Sequence, residues 1–129
     1  MASSEGKNFE SPPWWYLLWG VPAVVAAVTF AANGAHLLPP AAAGILWTFS
    51  VAWVGVGCYI NGRSCGRVHC KIDGVLFPLL SVAGGLNVLA VVSFSWGVFW
   101  DVFLVVLLAS FLPELFWKRY AGLGGPVTE

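Results

Sequence analysis

The stretch CYINGRSCGRVHCKIDG, residues 58–74, breaks an otherwise apolar chain near its middle and decides how the rest is read. It holds all three cysteines, His69 as one of two histidines, and Arg63, Arg67 and Lys71 as half of the six Lys and Arg residues. Apolar runs stand on both sides of it. A membrane span needs roughly 20 apolar residues, and the runs 14–34, 41–60, 75–94 and 98–117 each meet that length. The chain is 59% hydrophobic and 9% charged, against about 25% charged residues in a soluble domain. So few charges cannot cover a water-facing surface, whereas lipid needs no such cover. The runs are continuous rather than alternating, which excludes a transmembrane barrel. The expected fold is an all-α membrane protein, an antiparallel four-transmembrane-helix bundle. It divides into a polar tail 1–13, a membrane domain 14–120 with a cysteine-rich loop 61–74, and a Gly-rich tail 121–129. The first tail lacks the basic region and small-residue cleavage site of a signal peptide.

Charge placement sets the orientation. Lys and Arg stay on the cytoplasmic side of short loops. With four spans, both termini and the 61–74 loop share one side. That side holds Lys7, Arg63, Arg67, Lys71, Lys118 and Arg119, which is every Lys and Arg in the chain. Both termini and the cysteine loop are therefore expected in the cytoplasm, with the protein a multi-pass component of the inner (plasma) membrane. Trp14, Trp15, Tyr16, Tyr59, Trp117 and Tyr120 would form the inner aromatic belt, and Phe94, Trp96, Phe99 and Trp100 the outer one. Net charge is zero, so nothing favours nucleic acid as a partner. Lipid is the expected partner, with other membrane subunits or a second copy of the chain beside it.

Helix-breaking and small residues mark finer features. Pro22 is expected to kink the first span. Pro78 is expected in the first turn of the third, and Ser95-Trp96-Gly97 as a tight turn before the fourth. Ala23, Ala27 and Ala31 form a small-residue stripe. Gly44, Thr48 and Ala52 share a face, which would let the first two helices pack closely as a hairpin.

The reducing cytosol keeps thiols free of structural disulfides, and an odd cysteine count agrees. Cys58, Cys65, His69 and Cys70 supply three thiols and an imidazole, the donor set of a tetrahedral zinc site. The same donors suit mercury, copper or an iron–sulfur cluster. Arg63, Arg67 and Lys71 would favour the thiolate form of the cysteines. In a helix, Cys65, His69 and Asp73 share a face at four-residue spacing, so Asp73 is expected to hold the second ring nitrogen of His69. Cys70 would point about 100° away, and Gly62 and Gly66 offer the turns that fold the segment back.

The segment N-x-R-x-C-G-R-x-H-C, here Asn61, Arg63, Cys65, Gly66, Arg67, His69 and Cys70, resembles the signature of a family of small prokaryotic polytopic membrane proteins. Leu112-Pro113-Glu114 and Lys118-Arg119-Tyr120 are similar to the end of that family's pattern. The resemblance implies a polytopic membrane protein and assigns no activity. A fainter similarity is to the small mercury-transport membrane proteins. Those carry adjacent cysteines within a span, and this chain has no cysteine in the outer half of any run.

Asp101, one turn into the fourth run, is an intramembrane carboxylate. With His36, Asn33 and Asn87 it would make an outer polar site for a cation or proton. Glu114 is expected to pair with Lys118 at i, i+4. No phosphate loop, nucleophile elbow or H-E-x-x-H pattern is present, so no enzyme class is indicated. The functional expectation is a cytosolic Cys/His loop that binds a soft or borderline metal for transport or handling. A non-catalytic accessory subunit of a larger membrane complex is the alternative. Thiol–disulfide exchange with a quinone, the task of some four-span proteins, is the third reading; it requires the cysteines on the oxidising face.

Overall fold

The computed structural model describes Trp14 and residues 16–116, excepting the side chains of Ser64 and Cys65. The expectations for the two tails and for Lys7, Trp15, Trp117, Lys118, Arg119 and Tyr120 lie outside the described residues. Among those described, the secondary structure is helical and forms no sheet.

Tyr16–Gly20 is a single π-helical turn that runs into α1, Val21–Gly34. Pro22 accounts for an unusual bond there. A π-turn joins each carbonyl to the N–H five residues on, and Pro22 has no N–H for Leu17. Trp53 Nε1 donates to the Leu17 carbonyl instead, at 3.1 Å. Pro39 and Pro40 open α2, Pro40–Cys65, where a missing N–H costs no helix bond. Val68–Val88 is α3 and Trp96–Phe116 is α4. The stretches Tyr16–Gly34, Pro40–Arg63, Val68–Val88 and Trp96–Phe116 are each long and apolar enough to cross a membrane. By length and composition, this is a multi-pass membrane protein.

The 61–74 stretch is not a loop. α2 continues through Cys65, α3 starts at Val68, and only Gly66 and Arg67 interrupt them. Gly66 takes φ 71°, and its N–H donates to the Gly62 carbonyl at 3.1 Å. That left-handed cap suits glycine, which has no Cβ to clash. Arg67 follows in extended backbone. The polar residues here are turned away from solvent: Asn61, His69, Cys70 and Asp73 are buried within the protein. Helix α3 therefore begins seven residues earlier than the expected 75–94 span, and Pro78 lies inside it rather than in its first turn. The connection to α4 is residues 89–95, longer than the expected turn.

Small residues bring the α2 and α3 backbones together. Gly62 lies against Cys70, Gly74 against Tyr59, Gly55 against Phe77 and Pro78, and Gly84 against Thr48. Gly44 sits beneath the Trp96 ring. The Gly44–Thr48 face thus serves α3 and α4, not a hairpin with α1, because indole and glycine fill each other's space. Ala23, Ala27 and Ala31 are exposed.

The apolar core is Ala43, Trp47, Val51, Phe77 and Phe99. The residues expected as an outer aromatic belt turn inward instead. Trp96 lies 5.5 Å from Trp47, and Phe99 meets Trp100 edge-on at 5.8 Å. Edge-to-face contact between rings stabilises beyond simple burial, so this end closes on aromatic packing. The opposite end closes on polar groups.

Candidate functional site

Three helices deliver seven polar or thiol side chains to that end. α2 brings Cys58 and Asn61. α3 brings His69, Cys70 and Asp73. α4 brings Ser110 and Glu114. The α2–α3 break at Gly66 places Asn61 beside Cys70, and Asn61 Nδ2 donates to the Cys70 sulfur at 3.5 Å. Cys58 stands within hydrogen-bonding reach of that sulfur. Both sulfurs are sealed from the surface, Cys58 at 0% and Cys70 at 1% exposure.

His69 connects the thiols to a carboxylate. Its Nδ1 lies 2.6 Å from Glu114 Oε1, and its Nε2 lies 3.2 Å from the Cys70 sulfur. A carboxylate only accepts, so Nδ1 carries a hydrogen, and Nε2 faces the Cys70 sulfur. The backbone N–H of His69 donates to the same Glu114 oxygen at 3.2 Å. The ring also stacks on Phe111, at 4.4 Å between centroids and 21° between planes. The ring angle is fixed by these contacts, and the arrangement runs sulfur, imidazole, carboxylate.

Asp73 belongs to a separate pairing. Ser110 Oγ lies 3.0 Å from Asp73 Oδ2 and 2.7 Å from the Leu107 carbonyl. One hydroxyl hydrogen serves both acceptors. Asp73 Oδ1 and Asn61 Oδ1 are buried and make no hydrogen bond. Each such atom costs about 1–3 kcal/mol when it goes without a donor.

A cleft of about 590 Å³ is lined by Trp19, Asn61, Arg67, His69, Asp73, Leu107 and Phe111. An adjoining, almost wholly apolar cavity of about 230 Å³ shares Trp19 and Leu107 as walls. It is otherwise lined by residues such as Pro22, Ala26 and Phe103.

Of the four expected metal ligands, the structure brings Cys58, His69 and Cys70 together, and the Cys65 side chain lies outside the described residues. Among the described residues, no group of three or more His, Cys, Asp or Glu side chains is arranged to hold a metal ion. The second ring nitrogen of His69 is held by Glu114, not by Asp73, which turns to Ser110 on the neighbouring helix. Arg63 is exposed and stands over the Tyr59 ring at 5.7 Å, away from the sulfurs. Asp101 and His36 are both exposed, and no hydrogen bond or ion pair joins them among the described residues. Asn87 clamps the α3–α4 connection through both hydrogen bonds to the Phe94 backbone.

Glu114, Ser110 and the pairing of Cys58 with Cys70 do not follow from reading the cysteine segment alone. Glu114 did carry a signal, as a carboxylate inside an apolar run with a proline before it. No protein-family model, no curated protein and no solved structure matches the chain.

Proposed function

We propose that this membrane protein carries a buried dithiol centre that cycles between two thiols and a disulfide. Cys70 is the attacking sulfur, Cys58 its resolving partner, and His69 the base, oriented by Glu114. The observation that carries the reading is the continuous contact from Cys58 through Cys70 and His69 to Glu114. His69 Nε2 takes the Cys70 proton, which makes the thiolate, the reactive form of the thiol. Closure of the Cys58–Cys70 bond releases two electrons and two protons to a two-electron acceptor. Fixing the imidazole this way serves general base chemistry, which contributes typically 10²–10⁴ in rate.

The test is oxidation of the reduced, detergent-purified chain with diamide, followed by peptide mapping. We expect one peptide linked through Cys58 and Cys70, and the chain lighter by two hydrogens. Cys58 and Cys70 that stay as thiols, or pair only with Cys65, end the reading. A stoichiometric metal that survives purification and is lost in Cys70→Ser would restore the metal site expected from the sequence.

The helices run antiparallel in this proposal, with both termini in the cytoplasm. Support for the first comes from the α2–α3 contacts, in which positions fall along one helix as they rise along the other. Support for the second comes from the placement of all six Lys and Arg residues. Reporter fusions at residue 129 that are active only outside the cytoplasm would overturn the orientation.

A further inference from the structure

We propose that the seam between α1 and α4 is a binding site for one anionic phospholipid, with its phosphate at Arg67 and an acyl chain in the apolar cavity. This goes beyond the dithiol reading and does not depend on it.

The seam follows from how the helices pack. Among the described residues, α1 lies closely on α2 and α4 on α3, but the α1 and α4 backbones do not pack closely on each other. The apolar cavity occupies the space that this leaves. Ala23 and Ala26 wall it from α1, Trp100 and Phe103 from α4, and Ser50 and Val51 from α2. The Ser50 hydroxyl donates back to the Leu46 carbonyl at 2.8 Å, so its hydrogen is spent on its own helix. Ala23 is exposed, which leaves the cavity a side open to lipid. Phe30 closes the far end, its ring 4.9 Å from Trp47 and 5.1 Å from Trp100.

Depth and charge identify the occupant. The cleft and the cavity share Trp19 and Leu107, and the cleft lies nearer the helix ends: Asn61 follows Val51 on α2, and Phe111 follows Phe103 on α4. From Trp100 to Phe111 is about 16 Å of helix, close to half of the roughly 30 Å hydrocarbon core. That is the depth of one leaflet, and so of one lipid chain. Arg67, in the α2–α3 break, is half-buried and is the one Lys or Arg among the described residues that line the cleft. The opposing charges are already engaged: Ser110 holds the buried Asp73, and Glu114 is paired with His69. A guanidinium has five N–H donors, so it can grip a phosphate in a two-pronged contact and keep another partner. Arg63 and Lys71 are exposed on either side of the break and repel the ammonium of a zwitterionic headgroup. Basic sites between helices at the membrane surface hold anionic headgroups in this way.

The experiment titrates the full chain, in mild detergent micelles, with phosphatidylglycerol or phosphatidylcholine of the same acyl chains, and reads bound lipid by native mass spectrometry. Expected is one phosphatidylglycerol per chain, bound roughly tenfold more tightly than phosphatidylcholine. Arg67→Gln should cut that preference to roughly threefold or less. Arg63→Gln, whose side chain stands over the Tyr59 ring and outside the cleft, should keep it. Ala26→Phe and Leu107→Trp narrow the seam from different helices, and each should weaken binding of both lipids by roughly tenfold. Equal affinity for the two lipids in the parent chain overturns the proposal. So does displacement of the lipid by glycerol phosphate, which would make this a site for a free phosphate. A loss in Arg63→Gln equal to that in Arg67→Gln assigns the preference to overall surface charge and overturns it too. Phosphatidylglycerol held undiminished by both seam-narrowing variants removes the acyl site.

Discussion

Glu114 Oε1 accepts from His69 twice, from Nδ1 at 2.6 Å and from the backbone N–H at 3.2 Å, across 45 residues of chain. One oxygen therefore fixes both the ring and the first turn of α3. Glu114→Gln removes the charge that stabilises a protonated imidazole. We expect the diamide-driven Cys58–Cys70 oxidation to slow by roughly tenfold to a hundredfold, the size of effect seen when a partner that orients a functional histidine is removed. Quenched-flow alkylation of the remaining thiols measures it. An unchanged rate would show that the carboxylate only supports the fold.

The close approach of α2 and α3 predicts opposite outcomes for two glycines of one helix. A Cβ on Gly74 would stand 2.6 Å from Tyr59 Cα, whereas one on Gly85 meets nothing within 4 Å. Backbone cannot yield as a flexible side chain does. Gly74→Ala should destabilise by about 1–3 kcal/mol, the usual cost of overpacking. Gly85→Ala should be neutral or stabilising by up to about 1 kcal/mol through helix propensity. Unfolding in mixed micelles separates the two, and equal effects would contradict the contact.

Two helices end on left-handed residues that are not glycine. Ala90 takes φ 58° after α3, where the Val91 N–H donates to the Leu86 carbonyl at 2.9 Å. An L side chain there costs roughly 1–2 kcal/mol. Ala90→Gly should recover about 1 kcal/mol without changing the turn, read as a higher denaturation midpoint. A loss of stability would mean that the Ala90 methyl makes a contact worth more than its strain.

Trp53 holds the N-terminal turn through a single hydrogen bond to the Leu17 carbonyl. Trp53→Phe keeps most of the apolar bulk and deletes the donor. A neutral hydrogen bond contributes about 0.5–1.5 kcal/mol, so amide exchange across Tyr16–Gly20 should quicken by roughly threefold to tenfold. Protection that stays the same would assign the turn's stability to packing alone.

The four helices were legible from their apolar runs, because length and hydropathy set the requirement for crossing lipid. The boundaries around the cysteines were not. Polar residues at 61–74 read as a water-exposed loop, yet here they face inward. The buried positions of α3 include Cys70, Asp73, Gly74, Phe77, Ser81 and Gly84, spaced as one helical face. That period is present in the sequence, but a hydropathy scale hides it, since the inward stripe is polar or small and the outward one is oily. The thiol–imidazole pair could be suspected from Cys58, His69 and Cys70. Its carboxylate could not, because Glu114 reaches the imidazole only through the packing of α4 on α3, and no spacing along the chain encodes that contact.

Ser110 and Glu114 sit one turn apart on α4, and each holds a different side chain of α3, Asp73 and His69 respectively. Base and thiol ride together on α3, so sliding that helix leaves their mutual distance alone. Both contacts would be lost together if α4 moved away from α3. In the dithiol proposal, the fourth helix is therefore what keeps the base aimed at the sulfur.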